Sequence, residues 1–192
     1  MIAILKYNAG NIKSVQNALT RLGYENLITD EPSDLIKADK VIFPGVGEAS
    51  SAMNYLKERE LDKIILSLKQ PVLGICLGLQ LMCVYSEEAD TQCLGIFDTD
   101  VRLFPPIDKV PHMGWNNFLD LKGDLYKGIS VCDDVYYVHS YYAEICSYTS
   151  ATCEYILPFS ASIQKDNFYA TQFHPEKSAG VGEKILQNFL EL

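Results

Sequence analysis

Residues 71–80 read Pro71-Val72-Leu73-Gly74-Ile75-Cys76-Leu77-Gly78-Leu79-Gln80, and their reading decides the fold. A short apolar run of strand length ends in Gly-Ile-Cys-Leu-Gly, and a helix begins just past Cys76. This is the cysteine form of the nucleophile elbow, a sharp strand-to-helix turn that lifts a reactive side chain out of a sheet. The two glycines allow such a turn without Cβ clashes. A helix N-terminus behind Cys76 favours the thiolate, and the Leu77 backbone N–H faces a developing oxyanion. The plainer reading, a core cysteine between two packing glycines, fits a lone motif about equally well.

Outward from the elbow, strands alternate with helices. Ile2 to Tyr7 reads as a buried strand. A helix follows from about Asn11, with Val15, Ala18, Leu19 and Leu22 on one stripe and Gly23 at the cap position. Asn26 to Thr29 and Val41-Ile42-Phe43 read as further strands, the second ending at Pro44-Gly45-Val46-Gly47. A long helix is expected from Ala52 to Lys69. Such alternation predicts an α/β fold with an open, mostly parallel sheet and helices on both faces. The second half is β-rich around Val101–Phe104, Val135–Tyr142 and Phe168–Phe173, which suggests antiparallel or mixed additions to that sheet. A last helix from about Gly180 places Val181, Ile185 and Phe189 on one stripe. No repeat or linker divides the chain, so one domain is expected over residues 1–192.

Composition narrows the function. A hydrophobic fraction of 48% supplies a core, and a formal net charge of −9 disfavours a broad nucleic-acid footprint. Met1 leads straight into Ile2-Ala3-Ile4-Leu5, without a basic region or an apolar run long enough for a signal peptide or membrane span. A cytoplasmic protein is expected. The six cysteines contain no C-x-x-C pair, so neither a zinc site nor a dithiol redox pair is suggested, and no metal or cofactor is expected.

Ligands bind open α/β sheets at the carboxyl ends of their strands. Besides Cys76, two motifs fall at such ends. His174-Pro175-Glu176 follows the strand Phe168–Phe173. Residues two apart in an extended chain share a side, and Pro175 biases His174 towards extended backbone, so Glu176 can reach and orient the imidazole. A lone histidine at a strand end is more often structural; a Cys elbow in the same chain reverses those odds. Pro44-Gly45-Val46-Gly47 can turn a backbone N–H of Val46 or Gly47 towards a substrate, as a second oxyanion donor beside Leu77. Alone, that loop marks only a turn. Together these residues imply acyl transfer through a thioester, with Cys76 as nucleophile, His174 as base and Glu176 as orienter.

The segments Gly74-Ile75-Cys76-Leu77-Gly78-Leu79-Gln80 and Gln172-Phe173-His174-Pro175-Glu176-Lys177-Ser178 strongly resemble the triad-type, class I glutamine amidotransferases. Three further segments resemble one branch, the glutaminase subunits of imidazole glycerol phosphate synthases. They are Pro111-His112-Met113-Gly114-Trp115-Asn116, Val138-His139-Ser140-Tyr141 and the opening Asn8-Ala9-Gly10-Asn11-Ile12-Lys13-Ser14-Val15. The resemblance covers nearly the whole chain and implies a flavodoxin-like sheet. It implies hydrolysis of glutamine to glutamate and ammonia, with the ammonia passed to a (β/α)8-barrel cyclase that makes imidazole glycerol phosphate and AICAR in histidine biosynthesis. It further implies that Gln80 and Glu88 bind the amino-acid end of glutamine and that backbone groups of Ser140 and Tyr141 hold its carboxylate. Glu87 adjoins Glu88, and the motif match alone separates them.

Two residues are candidates for the docking face. Trp115 is the only tryptophan and is expected in a Gly-Trp-Asn loop; Lys177 directly follows Glu176, at the rim of the site. Their plainer readings are a core residue and a solvated charge. His112 and His139 are expected to be secondary, since neither has a carboxylate two residues on. Lys6-Tyr7 and Ala89 depart from the family pattern, where an acidic residue and a glycine are common. Three rival functions are a glutaminase feeding another synthase, a partner-independent cysteine hydrolase on the same fold and a non-catalytic binding subunit, the last disfavoured by an intact triad.

Overall fold

The computed structural model describes residues 1–192. Its centre is an eight-stranded mixed sheet. Four strands come from the first half: β1 (Ile2–Leu5), β2 (Asn26–Thr29), β3 (Lys40–Phe43) and β4 (Val72–Ile75). They lie parallel in the spatial order β2-β1-β3-β4. Strands β1, β3 and β4 are buried at every position, which is why they read as unbroken apolar runs and not as alternating ones.

Successive side chains still part to opposite faces. Ala3 and Leu5 enter one core with α2 (Pro32–Lys37), α3 (Ala49–Glu58), α4 (Leu61–Ser67) and α5 (Leu77–Met82). Ile2 and Ile4 enter the other with α1 (Ile12–Arg21) and α6 (Ala179–Leu190). Helix α1 buries the expected Val15, Ala18 and Leu19, and Gly23 after its end has the positive φ of 81° that a glycine cap supplies.

The long helix expected from Ala52 to Lys69 is two helices, broken where Glu60 has φ 56°. The apolar phase explains the break. Buried Leu56 is followed by buried Leu61, five positions on, whereas a continuous helix would turn charged Arg59 and Glu60 inward. Helix α2 had no periodic signal in its six residues.

The chain after α5 does more than extend the main sheet. Elements β5 (Tyr85–Ser86), β6 (Thr91–Gln92) and β7 (Asp100–Leu103) join a separate four-stranded sheet, while β8 (His112–Asn116) belongs to a two-stranded ribbon. The expected β-rich run Val135–Tyr142 divides at Ser140 into β10 (Val135–His139), which pairs with β8, and β11 (Tyr141–Ala143), which pairs with β7. Between β8 and β10 lies the short β9 (Asp120–Leu121). The main sheet is completed by β14 (Phe168–Thr171), parallel to β4, then antiparallel β13 (Pro158–Lys165), β12 (Thr149–Glu154) and β9. No helix is long and apolar enough to cross a membrane.

Candidate active site

Strands β3, β4 and β14 stand side by side, so the loops at their carboxyl ends converge. The elbow at the end of β4 holds Cys76 at φ 54° and ψ −105°, a strained conformation for a residue with a Cβ. The flanking glycines are needed for space: a Cβ on Gly78 would stand 2.0 Å from the Phe43 carbonyl oxygen, and one on Gly74 would stand 3.0 Å from the backbone of Gly78 and Leu79. Cys76 N–H donates to the Thr171 carbonyl at 2.7 Å, which fastens the elbow to β14.

Beyond β14, His174 is fully buried, and its Nδ1 lies 2.8 Å from Glu176 Oε1. The route differs from the expected strand alternation. Pro175–Lys177 forms a 3-10 turn, and the turn brings the carboxylate back to the Nδ1 edge of the ring. Burial pushes the His174 imidazole down, but the neighbouring Cys76 sulfur and Glu176 carboxylate push it up more strongly, to about 10. His174 Nε2, the nitrogen left for proton transfer, is buried and has no hydrogen-bond partner.

Three supporting residues carried no separate signal. Asn11 precedes α1 with φ 69°, and its side chain does not cap the helix; it donates to Glu176 Oε1. Ser178 Oγ donates to the His174 carbonyl at 2.6 Å and accepts the Tyr136 N–H at 2.9 Å, while His174 N–H donates to the Tyr136 carbonyl at 2.9 Å. Gln172 Nε2 lies 3.6 Å from Cys76 Sγ, and its Oε1 accepts from Gln80 at 3.1 Å. Asn11, Gln172 and Ser178 all lie inside the resembling segments, but spacing gave them no chemistry.

Cys76 opens onto a cavity of about 260 Å³. Val46, Gly47, Leu77, Gln80, Glu88, Ser140 and Tyr141 line it with Cys76, so the expected oxyanion and substrate residues meet there, while His174 and Glu176 lie behind its lining. Gln80 Nε2 is committed to the Tyr141 carbonyl at 3.0 Å and to Gln172, which leaves its Oε1 as an acceptor for a ligand donor. The two adjacent glutamates part. Glu87 is held by Arg102 at 3.2 Å and by the Leu103 N–H at 2.7 Å, whereas Glu88 lines the cavity and accepts the Ala49 N–H at 2.8 Å. Burial raises the Glu88 carboxyl above its ordinary value, against the Ala49 hydrogen bond.

The expected pair of oxyanion donors is not open in this conformation. Leu77 N–H donates to the Gly45 carbonyl at 3.2 Å. The loop therefore offers an acceptor where a second donor was expected. The adjoining carbonyls are anchored too: Pro44 accepts from Tyr7 Oη at 2.5 Å and Val46 from Gly10 N–H at 2.9 Å. Between these anchors only the Gly45–Val46 peptide need rotate to free Leu77, and a Cβ on Gly45 would strike the Tyr7 hydroxyl at 2.0 Å.

The docking candidates lie outside the cavity. Trp115 lies within strand β8, not in a loop, and is 55% exposed on the same outward face as Met113. Its ring meets Tyr136 edge-on at 5.9 Å. Lys177 is exposed at the end of the turn that carries Glu176.

The class-I glutamine amidotransferase family model matches residues 4–192, and the chain belongs to that family. A putative GMP synthase component from Thermoplasma acidophilum shares the fold, with a TM-score of 0.76, 20% identity and coverage of 100% of this chain and 92% of that one. Among curated relatives, the imidazole glycerol phosphate synthase subunit HisH of Bacteroides fragilis (strain YCH46) is 60% identical over 194 residues, covering 100% of this chain and 99% of the relative. The Escherichia coli (strain K12) protein of that name is 45% identical with the same coverage. Within the family, this chain stands among the HisH subunits.

Proposed function

We propose that this chain is the glutaminase half of an imidazole glycerol phosphate synthase, a single amidotransferase domain that releases ammonia from glutamine for a partner's use in histidine biosynthesis. The observation that carries the reading is the buried His174–Glu176 pair, its Nε2 free of other partners, beside a Cys76 sulfur that raises the imidazole and lines the cavity. Cys76 sulfur, its proton held by His174, attacks the side-chain carbonyl carbon of glutamine. The tetrahedral intermediate collapses as imidazolium His174 protonates the departing nitrogen, which leaves as ammonia and gives a thioester. His174 then takes a proton from water, hydroxide adds to the thioester, and glutamate departs as the Cys76 sulfur regains the proton. Glu176 holds the imidazole tautomer and balances the imidazolium.

Glu88 and the free Oε1 of Gln80 suit the α-ammonium of the substrate. The Ser140 carbonyl is turned towards Phe104 N–H at 3.0 Å, so the opposite edge of that trans peptide, the Tyr141 N–H, faces away from β7 and suits the α-carboxylate. The partner is a (β/α)8-barrel cyclase seated over Cys76, with Trp115 and Lys177 in its contact face. The subunit names of the relatives and the exposed Trp115 support this. Six free cysteines suit the reducing cytoplasm.

Rotation of the Gly45–Val46 peptide on partner binding would free the Leu77 N–H and add the Val46 N–H. Each such donor is worth roughly 3–4 kcal/mol. Ammonia release from glutamine by the purified chain is therefore at least about a hundredfold slower than by the chain with the cyclase and its ligand. Equal rates would refute partner control, and no release from either would refute the glutaminase reading.

A further inference from the structure

Two buried histidines take no part in the triad. His112 opens β8 and His139 closes β10, facing each other in register. His139 Nδ1 is 2.8 Å from the Tyr141 carbonyl oxygen, and His139 Nε2 is 3.0 Å from His112 Nδ1. His112 Nε2 is 3.4 Å from Asn116 Nδ2, which also donates to the Glu154 carbonyl at 2.9 Å. The His112 ring is clamped between Tyr155 at 4.1 Å and Tyr137 at 4.7 Å, both nearly parallel to it.

In neutral rings these contacts fix where the protons are. A carbonyl only accepts, so His139 Nδ1 carries hydrogen. Two facing nitrogens need one hydrogen and one lone pair, so His139 Nε2 accepts and His112 Nδ1 donates. His112 Nε2 is then bare and accepts from Asn116. The direction is set from Asn116 to Tyr141, and no member is a carboxylate that would favour imidazolium. Burial holds His112 down at about 4 and His139 at about 3, so both rings are neutral at neutral pH.

The chain ends on the carbonyl that also accepts Gln80 Nε2, at the wall of the glutamine cavity. It begins on the strand whose outward face carries Met113 and Trp115. We propose that His112 and His139 are positioning residues for glutamine: their one-way hydrogen-bond chain fixes the Ser140–Tyr141 backbone against β8, so that substrate affinity follows the placement of the docking strand. This rests on the glutaminase reading and adds to it a function for the second histidine pair.

The test compares variants in glutamine hydrolysis by the reconstituted pair with the cyclase, with wild-type turnover as the control for the glutaminase reading itself. His112→Phe keeps a flat ring between Tyr137 and Tyr155 but removes the Nδ1 donor. His139→Leu removes the whole link, and His139→Asn restores a donor near the position of Nδ1. Loss of a buried hydrogen bond at the substrate wall should raise KM for glutamine about tenfold in His139→Leu and several-fold in His112→Phe, with kcat within about threefold of wild type. His139→Asn should recover most of the loss. Imidazole nitrogen NMR on the folded wild-type chain gives a readout independent of any variant: both rings should be protonated at Nδ1 alone. An unchanged KM in both folded variants, or an Nε2–H tautomer or imidazolium at either ring at neutral pH, would overturn the proposal. If His139→Leu does not fold, His112→Phe and the tautomer measurement still decide.

Discussion

The chain has three histidines, all buried, yet their environments drive them in opposite directions. His174 is held up at about 10; His112 and His139 are held down at about 4 and about 3. Burial alone lowers an imidazole, and it lowers all three. The difference lies in what the ring nitrogens face. His174 has Glu176 on one side and the Cys76 sulfur near the other, so a proton on the ring is welcome. His112 and His139 face each other, an amide and a carbonyl, and a charge on His112 or His174 would push His139 lower still. One region is therefore built to gain and lose a proton, and the other to keep a single hydrogen in a single place. Sequence separates them only by the carboxylate two residues after His174.

The largest effect that would break this contrast comes from Cys76→Ala. Turnover should vanish, and the His174 titration midpoint should fall well below that of the wild type, because the sulfur is its main support against burial. Residual ammonia release from the folded variant would contradict the mechanism. Glu176→Gln makes the surroundings of His174 resemble those of the other pair. Turnover with the partner bound should drop by about a hundredfold to ten-thousandfold while the fold persists, as loss of an orienting carboxylate does in other triads. Trp115→Ala acts on the ribbon that carries the second pair. It should weaken assembly with the cyclase by about 2 kcal/mol, visible in a binding titration, without changing thermal unfolding of the free chain; unchanged affinity would remove Trp115 from the docking face.

The smallest effect concerns pH. For His112 the folded value lies below the ordinary 6.5, so between about 4 and 6.5 the unfolded chain holds more protons. Its contribution to stability is full above 6.5 and is lost as pH falls towards 4. His174 has the reverse sign: its contribution is full below 6.5 and is lost as pH rises towards 10. Denaturant titrations of His112→Phe should show a shallower loss of stability between pH 6.5 and 4 than the wild type, with the alkaline limb unchanged. Matching acid limbs would mean that His112 is not held neutral.

Legibility followed the range of the interactions. Strands β1, β3 and β4, helix α1 and the elbow were readable because their signals are local: apolar period, a glycine cap and a Gly-x-Cys-x-Gly turn. The break between α3 and α4 was readable in principle, since the five-residue step from Leu56 to Leu61 violates helical phase. The division of Val135–Tyr142 at Ser140 was not, because it depends on which distant strand each half meets. The same holds for Asn11 on Glu176 and Gln172 on Cys76, contacts spanning 165 and 96 positions. Ala89, a departure from the family's glycine, adopts φ 52°, so the backbone keeps the left-handed turn that a glycine would suit. The 3-10 turn at Pro175–Lys177 brought His174 and Glu176 together by a route other than the expected one, because a proline at the first turn position starts such a helix as readily as it extends a strand.

The central claim is that Cys76, among six cysteines, is the residue acylated by glutamine. An electrophilic glutamine analogue should be added to the chain with its cyclase partner, and the labelled peptide mapped by mass spectrometry. Label on Cys76 alone, suppressed by excess glutamine, is the predicted result. Cys132 is exposed to solvent, and Cys83 and Cys153 are buried away from the cavity. Glutamine-protected label on any of these, or no label on Cys76, would contradict it.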